Sequence, residues 1–252
     1  MNLMHNCLIL GSGRSGTSML GGILNTAGYY MGENLYEPRK ANPKGFFESP
    51  AINSINERLL GPHARSRCRY PLMRLWRSLF SAERWLAQIP LGTQITSTPR
   101  IAARIAAEVA HRPFAFKDPR FCYTLPAWRP HLPRDTVFLC IFREPGRTVA
   151  SILKERRRKY PDLRLRSEDA FGVWSDMYEH VLKLHRHDGN WLFVHYHQVL
   201  NGSALPAIEK FLGVQVDASF PDATLDHAPS IEAPAPALAT YRELCALAGY
   251  PA

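Results

Sequence analysis

The segment Gly11-Ser-Gly-Arg-Ser-Gly-Thr-Ser18 constrains this chain more than any other. It follows an apolar run, Asn6–Leu10, and opens an apolar helical stretch from Thr17 to about Ala27, stopped by Gly28. A strand that feeds a glycine-rich turn and then a helix aims backbone N–H groups at one point. The helix start adds about half a positive charge there. Such a turn is an anion cradle before any side chain is counted. The spacing matches a Walker A loop, GxxxxGK[ST], except that Thr17 stands where the lysine belongs. A nucleoside triphosphatase needs that lysine on the β- and γ-phosphates and the next hydroxyl on Mg²⁺. Here the cation lies three residues earlier, at Arg14, among the hydroxyls of Ser15, Thr17 and Ser18. A bare glycine turn with no ligand is the plainer reading, and the strand–loop–helix setting weighs against it.

The rest of the chain repeats the alternation. Phe114–Lys117, Thr136–Phe142 and Trp191–Tyr196 read as strands. Ala51–Leu60, Pro99–His111, Leu125–His131, Pro145–Arg157, Glu168–His187, Ala204–Leu212 and Ala237–Leu247 read as helices. Residues 61–91, rich in Arg and Trp, read as helical pieces joined by loops, and Arg156–Arg166 as a basic loop. This order predicts an α/β, three-layer P-loop-like fold with a central parallel sheet flanked by helices. No linker or repeat divides the chain. It reads as one domain over residues 1–252, with an irregular Pro/Ala-rich segment at 221–236.

Charge narrows the partners. An excess of Lys and Arg (31) over Asp and Glu (22) gives +9, which favours an anionic ligand without choosing among them. The cysteines, Cys7, Cys68, Cys122, Cys140 and Cys245, form no CxxC pair and have no histidines at ligand spacing. They suggest a reducing compartment and no metal site. The first apolar run is too short for a signal peptide, and no stretch approaches the ~20 apolar residues of a spanning helix. The expectation is a cytoplasmic protein.

A second anchor follows the strand Val137–Ile141. Arg143 ends it, Pro145 stands two residues later and Ser151 eight later, a turn and a half into the next helix. A helix folding back beside its strand brings such a pair to one anion. Together these segments resemble the sulfotransferases that use 3′-phosphoadenosine-5′-phosphosulfate (PAPS). In that family a Lys or Arg precedes Ser-Gly-Thr-Thr/Ser in the 5′-phosphosulfate loop. An Arg, a Pro two later and a Ser eight later bind the 3′-phosphate. The resemblance assigns the donor to Gly13, Arg14, Ser15, Gly16, Thr17, Ser18, Arg143 and Ser151, with adenosine 3′,5′-bisphosphate (PAP) as product. Asn42-Pro-Lys-Gly-Phe-Phe-Glu48 with Ile55–Leu60, and Phe116-Lys-Asp-Pro-Arg120, resemble segments of bacterial members. His197 and Gln198 depart from the Tyr-Glu-Asp-Leu that many members carry.

The implied reaction is in-line sulfuryl transfer to a hydroxyl, with Arg14 neutralising charge on the leaving phosphate and no metal required. A general base must take the acceptor's proton. Glu48, beside two aromatics, is the first candidate, Glu33 the second and Asp118 the third; each also reads as a surface or ion-paired carboxylate. The basic run Lys154, Arg156, Arg157, Arg158, Lys159 reads as a solvated face, or else as arginines completing the 3′-phosphate site or holding an anionic acceptor. Arg, Trp and Tyr between residues 32 and 91 suit a saccharide acceptor. Two other readings stand beside this one. The first is a P-loop kinase or hydrolase with a degenerate Walker A loop. The second is a non-catalytic binder of nucleotide or polyanion. Nucleic acid is not an expected partner.

Overall fold

The computed structural model describes residues 4–39, 42–63, 81–159, 165–225 and 229–251. The sequence expectations for 64–80 and 160–164 lie outside them.

Four apolar runs form four strands: β1 (Cys7–Leu10), β2 (Ala115–Lys117), β3 (Val137–Phe142) and β4 (Asn190–His195). All pair in parallel, in the order β2-β1-β3-β4, with Leu8 beside Phe116 and Phe138, and Leu139 beside Leu192. Both faces of β1 and β3 are buried, which is why they read as continuous apolar runs rather than alternating ones. Leu8, Leu10, Phe138, Cys140 and Phe142 point into one core, and Cys7, Ile9, Val137, Leu139 and Ile141 into the other.

Helices fill the outer layers. On one face lie α1 (Thr17–Thr26), α7 (Tyr196–Leu200) and α8 (Leu205–Leu212), which bury Leu20, Ile23, Val199, Ile208 and Leu212. The other carries α2 (Pro50–Leu60), α3 (Pro99–Glu108), α4 (Phe121–Trp128), α5 (Pro145–Lys159), α6 (Ser167–His180) and α9 (Ala235–Ala248). Prolines open α2, α3, α5 and α8, where their missing N–H costs nothing. This is the three-layer α/β arrangement that the alternating pattern predicts.

Several boundaries differ. The helix expected over Leu125–His131 begins at Phe121 and ends at Trp128, followed by a 3₁₀ turn, Arg129–His131. The expected basic loop from Arg156 is the last turn of α5 as far as Lys159. The long helix ends at His180 and continues as a π-helical turn, Val181–His185. Tyr196 leaves β4 to begin α7, because the ring of His195 and the side chain of Gln198 form a capping box there. No helix among the described residues is long and apolar enough to cross a membrane.

Candidate active site

The loop after β1 is held by its neighbours rather than by its own side chains. Gly11 passes so close to the Ile141 carbonyl that a Cβ would collide with it. Ser12 donates its N–H to Tyr178 Oη at 3.0 Å, and that hydroxyl donates to the Ile141 carbonyl at 2.9 Å. Tyr178, on α6, thus ties the loop to the end of β3. Arg14 (φ 72°) and Gly16 (φ 96°) both take left-handed backbone, which curls the loop into a cradle. The N-cap of α1, Gly16, has no side chain to offer the first turn, where the Met19 N–H donates to the Gly16 carbonyl at 2.9 Å. A Cβ on Gly16 would lie 2.6 Å from the ring of Tyr196.

The second anchor meets the first. Arg143 stands one residue beyond β3, with its guanidinium 4.4 Å over the Tyr196 ring. Glu144 accepts the N–H groups of Gly146 (2.8 Å) and Arg147 (2.9 Å), and so starts α5 with a carboxylate at its positive end. One and a half turns on, Ser151 Oγ accepts from Arg14 Nε at 3.1 Å. Ser151, Lys154, Glu155 and Arg158 recur at helical spacing along one face of α5, and all four line the same cavity. That cavity holds about 380 Å³ and is also lined by Gly16, Thr17, Ser18, Arg143 and Tyr196. Burial pushes the Arg14 guanidinium below its ordinary value; Glu155 counteracts this, while Arg143 and Arg158 add to it.

The three candidate carboxylates fall in different places. Glu48 pairs with the ammonium of Lys117, which also donates to Ser18 Oγ at 3.3 Å and is only 1% exposed. Burial raises the Glu48 carboxyl, but Lys117, Arg120 and the amide of Asn53 outweigh it, and the net shift is downward. Asp118 is fully buried. Its Oδ1 accepts from Arg120 N (2.8 Å) and Nη1 (2.9 Å), and its Oδ2 accepts from Asn56 Nδ2 (3.0 Å). Glu33 is exposed and lies near Tyr30 and Glu108. Tyr30 bridges to Phe114, ahead of β2, while the loop follows the far ends of the strands. Of the three, Glu48 is therefore the carboxylate joined to the loop, through Lys117 and Ser18.

Comparison with known proteins bears on the fold. No protein-family profile and no curated protein matches the sequence. Among solved structures, the sulfotransferase domain of the Synechococcus PCC 7002 olefin synthase is similar over 100% of this chain and 96% of its own, with 20% identity and a TM-score of 0.53. The sulfotransferase domain from the curacin biosynthetic pathway is similar over 100% and 99%, with 15% identity and a TM-score of 0.53. The chain has the sulfotransferase fold.

On the sulfotransferase fold, the loop and Arg143 leave the C-terminal ends of adjacent parallel strands, where α/β sheets open a crevice. Two residues packed against the loop escape a reading of the sequence. Lys117 ends β2 just as Arg143 follows β3, so its place at a strand end next to the glycine loop was the available signal. Tyr196 follows β4 directly, and its contact with both Gly16 and Arg143 arises only on folding. The α5 cations were visible as a charge run; their helical register separates Lys154 and Arg158, which reach the cavity, from the rest.

Proposed function

We propose that the chain is a PAPS-dependent sulfotransferase acting on a hydroxyl acceptor. One observation carries the reading: Arg14 and Ser151, from two segments that would each hold a phosphate, touch in a single cavity. The lining suits the donor. Five cations (Arg14, Lys44, Arg143, Lys154 and Arg158) face it against two carboxylates (Glu155 and Asp222), a surplus matched to a nucleotide with phosphates at both ends. Its volume lies within the range of small-ligand pockets. Thr17 in the lysine position of a Walker A loop supports sulfuryl rather than triphosphate chemistry.

In this reading the cradle from Gly13 to Ser18 holds the 5′-phosphosulfate, and Arg143 with Ser151 holds the 3′-phosphate. The acceptor oxygen forms its bond to sulfur as the bond from sulfur to the 5′-phosphate oxygen breaks. Arg14 and the first-turn amides of α1 stabilise the negative charge left on that phosphate. Glu48, kept ionised by Lys117, takes the acceptor's proton. Asp118 anchors Arg120 and Asn56 behind the site. The acceptor is a saccharide or a saccharide-containing metabolite, which the Arg-, Trp- and Tyr-rich stretch after residue 32 suits; Trp85 packs directly over Gly13. The compartment is cytoplasmic, in keeping with buried free thiols at Cys7, Cys122, Cys140 and Cys245.

Calorimetry tests the donor site. PAP should bind far more tightly than adenosine 5′-monophosphate or ATP–Mg²⁺, and Arg143→Ala should abolish the difference. Indifference to the 3′-phosphate would overturn the assignment. A panel of saccharides, phenols and other hydroxyl compounds, assayed with PAPS, tests the acceptor; reaction with phenols alone would rule out the saccharide.

A further inference from the structure

A carboxylate is out of place on a wall built for phosphates. Ser151, Lys154 and Arg158 are groups that bind an anion, yet Glu155 lies among them on the same face of α5 and lines the same cavity. It is held there. Its Oε1 accepts from Arg158 Nη2 at 2.9 Å, its Oε2 from Arg158 Nε at 3.3 Å, and its charge also acts on Arg14. Its side chain keeps 24% of its exposure, so it is free to swing without unpacking the helix. Arg143 and Arg158 both act against the Arg14 charge in this cavity, and Glu155, on the same helix as Arg158, offsets them.

We propose that Glu155 is an internal counter-ion of the donor site. It neutralises Arg158 and Arg14 between turnovers, yields Arg158 to a phosphate of the incoming nucleotide, and returns to help expel the bisphosphate product. This rests on the donor-site reading above. It adds Glu155 and Arg158 to that site as positioning residues that tune affinity and release. A carboxylate competing from the same helix weakens nucleotide binding and shortens the lifetime of the product complex, a step that limits many enzymes.

The test is calorimetric titration of the full chain with PAP, with PAP-release kinetics in parallel. Glu155→Gln should bind PAP roughly fivefold more tightly than wild type and release it correspondingly more slowly. Glu155→Ala should do the same, which guards against a new contact made by the amide. In an Arg158→Ala background most of the gain should vanish, as a double-mutant cycle requires for groups that interact. Glu179→Gln serves as the charge control: it removes a carboxylate that pairs with Lys183 at 2.9 Å on another helix, and should leave PAP affinity unchanged. Unchanged or weaker binding in Glu155→Gln, with wild type still preferring PAP to adenosine 5′-monophosphate, would overturn the counter-ion and leave the donor site standing. An equal gain in Glu179→Gln would also overturn it, by showing a general charge effect. Failure of wild type to bind PAP would overturn the donor site, and the counter-ion with it.

Discussion

Arg14 reaches across 137 residues of chain to donate from Nε to Ser151 Oγ at 3.1 Å, so the glycine loop and α5 share one contact. If the loop holds the 5′-phosphosulfate and Ser151 the 3′-phosphate, this contact sets the distance between the two ends of the donor. Ser151→Ala should weaken PAP by about tenfold and leave adenosine 5′-monophosphate nearly unaffected, since one charge-assisted hydrogen bond is lost at the 3′ end only. Arg14→Ala should lower turnover by roughly 10²–10³-fold, the scale of losing one donor at a developing oxyanion. Arg14→Lys should retain part of the rate, because the charge survives while the guanidinium's hydrogen-bond geometry does not. Steady-state rates with PAPS and calorimetry with the two nucleotides separate these effects.

If Glu48 is the base, its buried pair with Lys117 sets the acid limb of the reaction. Burial raises the Glu48 carboxyl, but its cationic neighbours hold it below the ordinary carboxylate range, so it remains charged through neutral pH. Glu48→Gln should cut turnover by about 10²–10⁴-fold while PAP still binds. Lys117→Met removes the strongest neighbouring cation, and the acid limb of kcat/KM should then move to higher pH. An unmoved limb in Lys117→Met would exclude Glu48 as the base.

Arg120 is 3% exposed and joins two carboxylates, Asp118 Oδ1 at 2.9 Å and Glu57 Oε1 at 2.7 Å. Glu57 in turn accepts from Arg84 at 2.9 Å, so α2, the end of β2 and the segment at 81–86 share one charged network. Arg120→Met leaves the fully buried Asp118 without its cation. The expected loss is about 3–5 kcal/mol of unfolding free energy, measured by urea titration. A loss below about 1 kcal/mol would mean that the network adds little beyond its packing.

Two buried histidines tie stability to pH. Burial lowers His195 to about 3, with His197 and Arg143 adding to the effect; burial likewise lowers His185 to about 4. Both are neutral when folded, whereas an unfolded chain protonates them near 6.5. As pH falls below about 6.5 the unfolded state therefore binds more protons, and stability declines. Each histidine contributes a slope of up to about 1.4 kcal/mol per pH unit until its folded value is reached. Above pH 7 neither contributes. Denaturant titrations between pH 7.5 and 5 should show this decline, and His195→Gln should flatten it. The same slope in that variant would assign the pH dependence to other groups.

The sequence by itself determined the sheet and the glycine turn that follows its first strand. The apolar runs at Cys7–Leu10 and Val137–Phe142 are buried on both faces, and a run with no polar side to offer belongs only in a central parallel strand. Gly11, Gly13 and Gly16, spaced between an apolar run and a helical one, made the loop legible, since local backbone geometry follows from local residue type. The spacing from Arg143 to Ser151 is short enough for one strand and one helix to fix. Tertiary structure alone decided the rest. Lys117 meets Glu48 across 69 residues and Ser18 across 99; Tyr196 slots between Gly16 and Arg143; Glu33, Glu48 and Asp118, equivalent as letters, part into an exposed carboxylate, an ion-paired one beside the loop, and a fully buried anchor. A carboxylate's chemistry depends on the charges and solvent around it, and those neighbours come from distant parts of the chain. Local pattern built the scaffold; long-range packing chose which of its charges face the crevice.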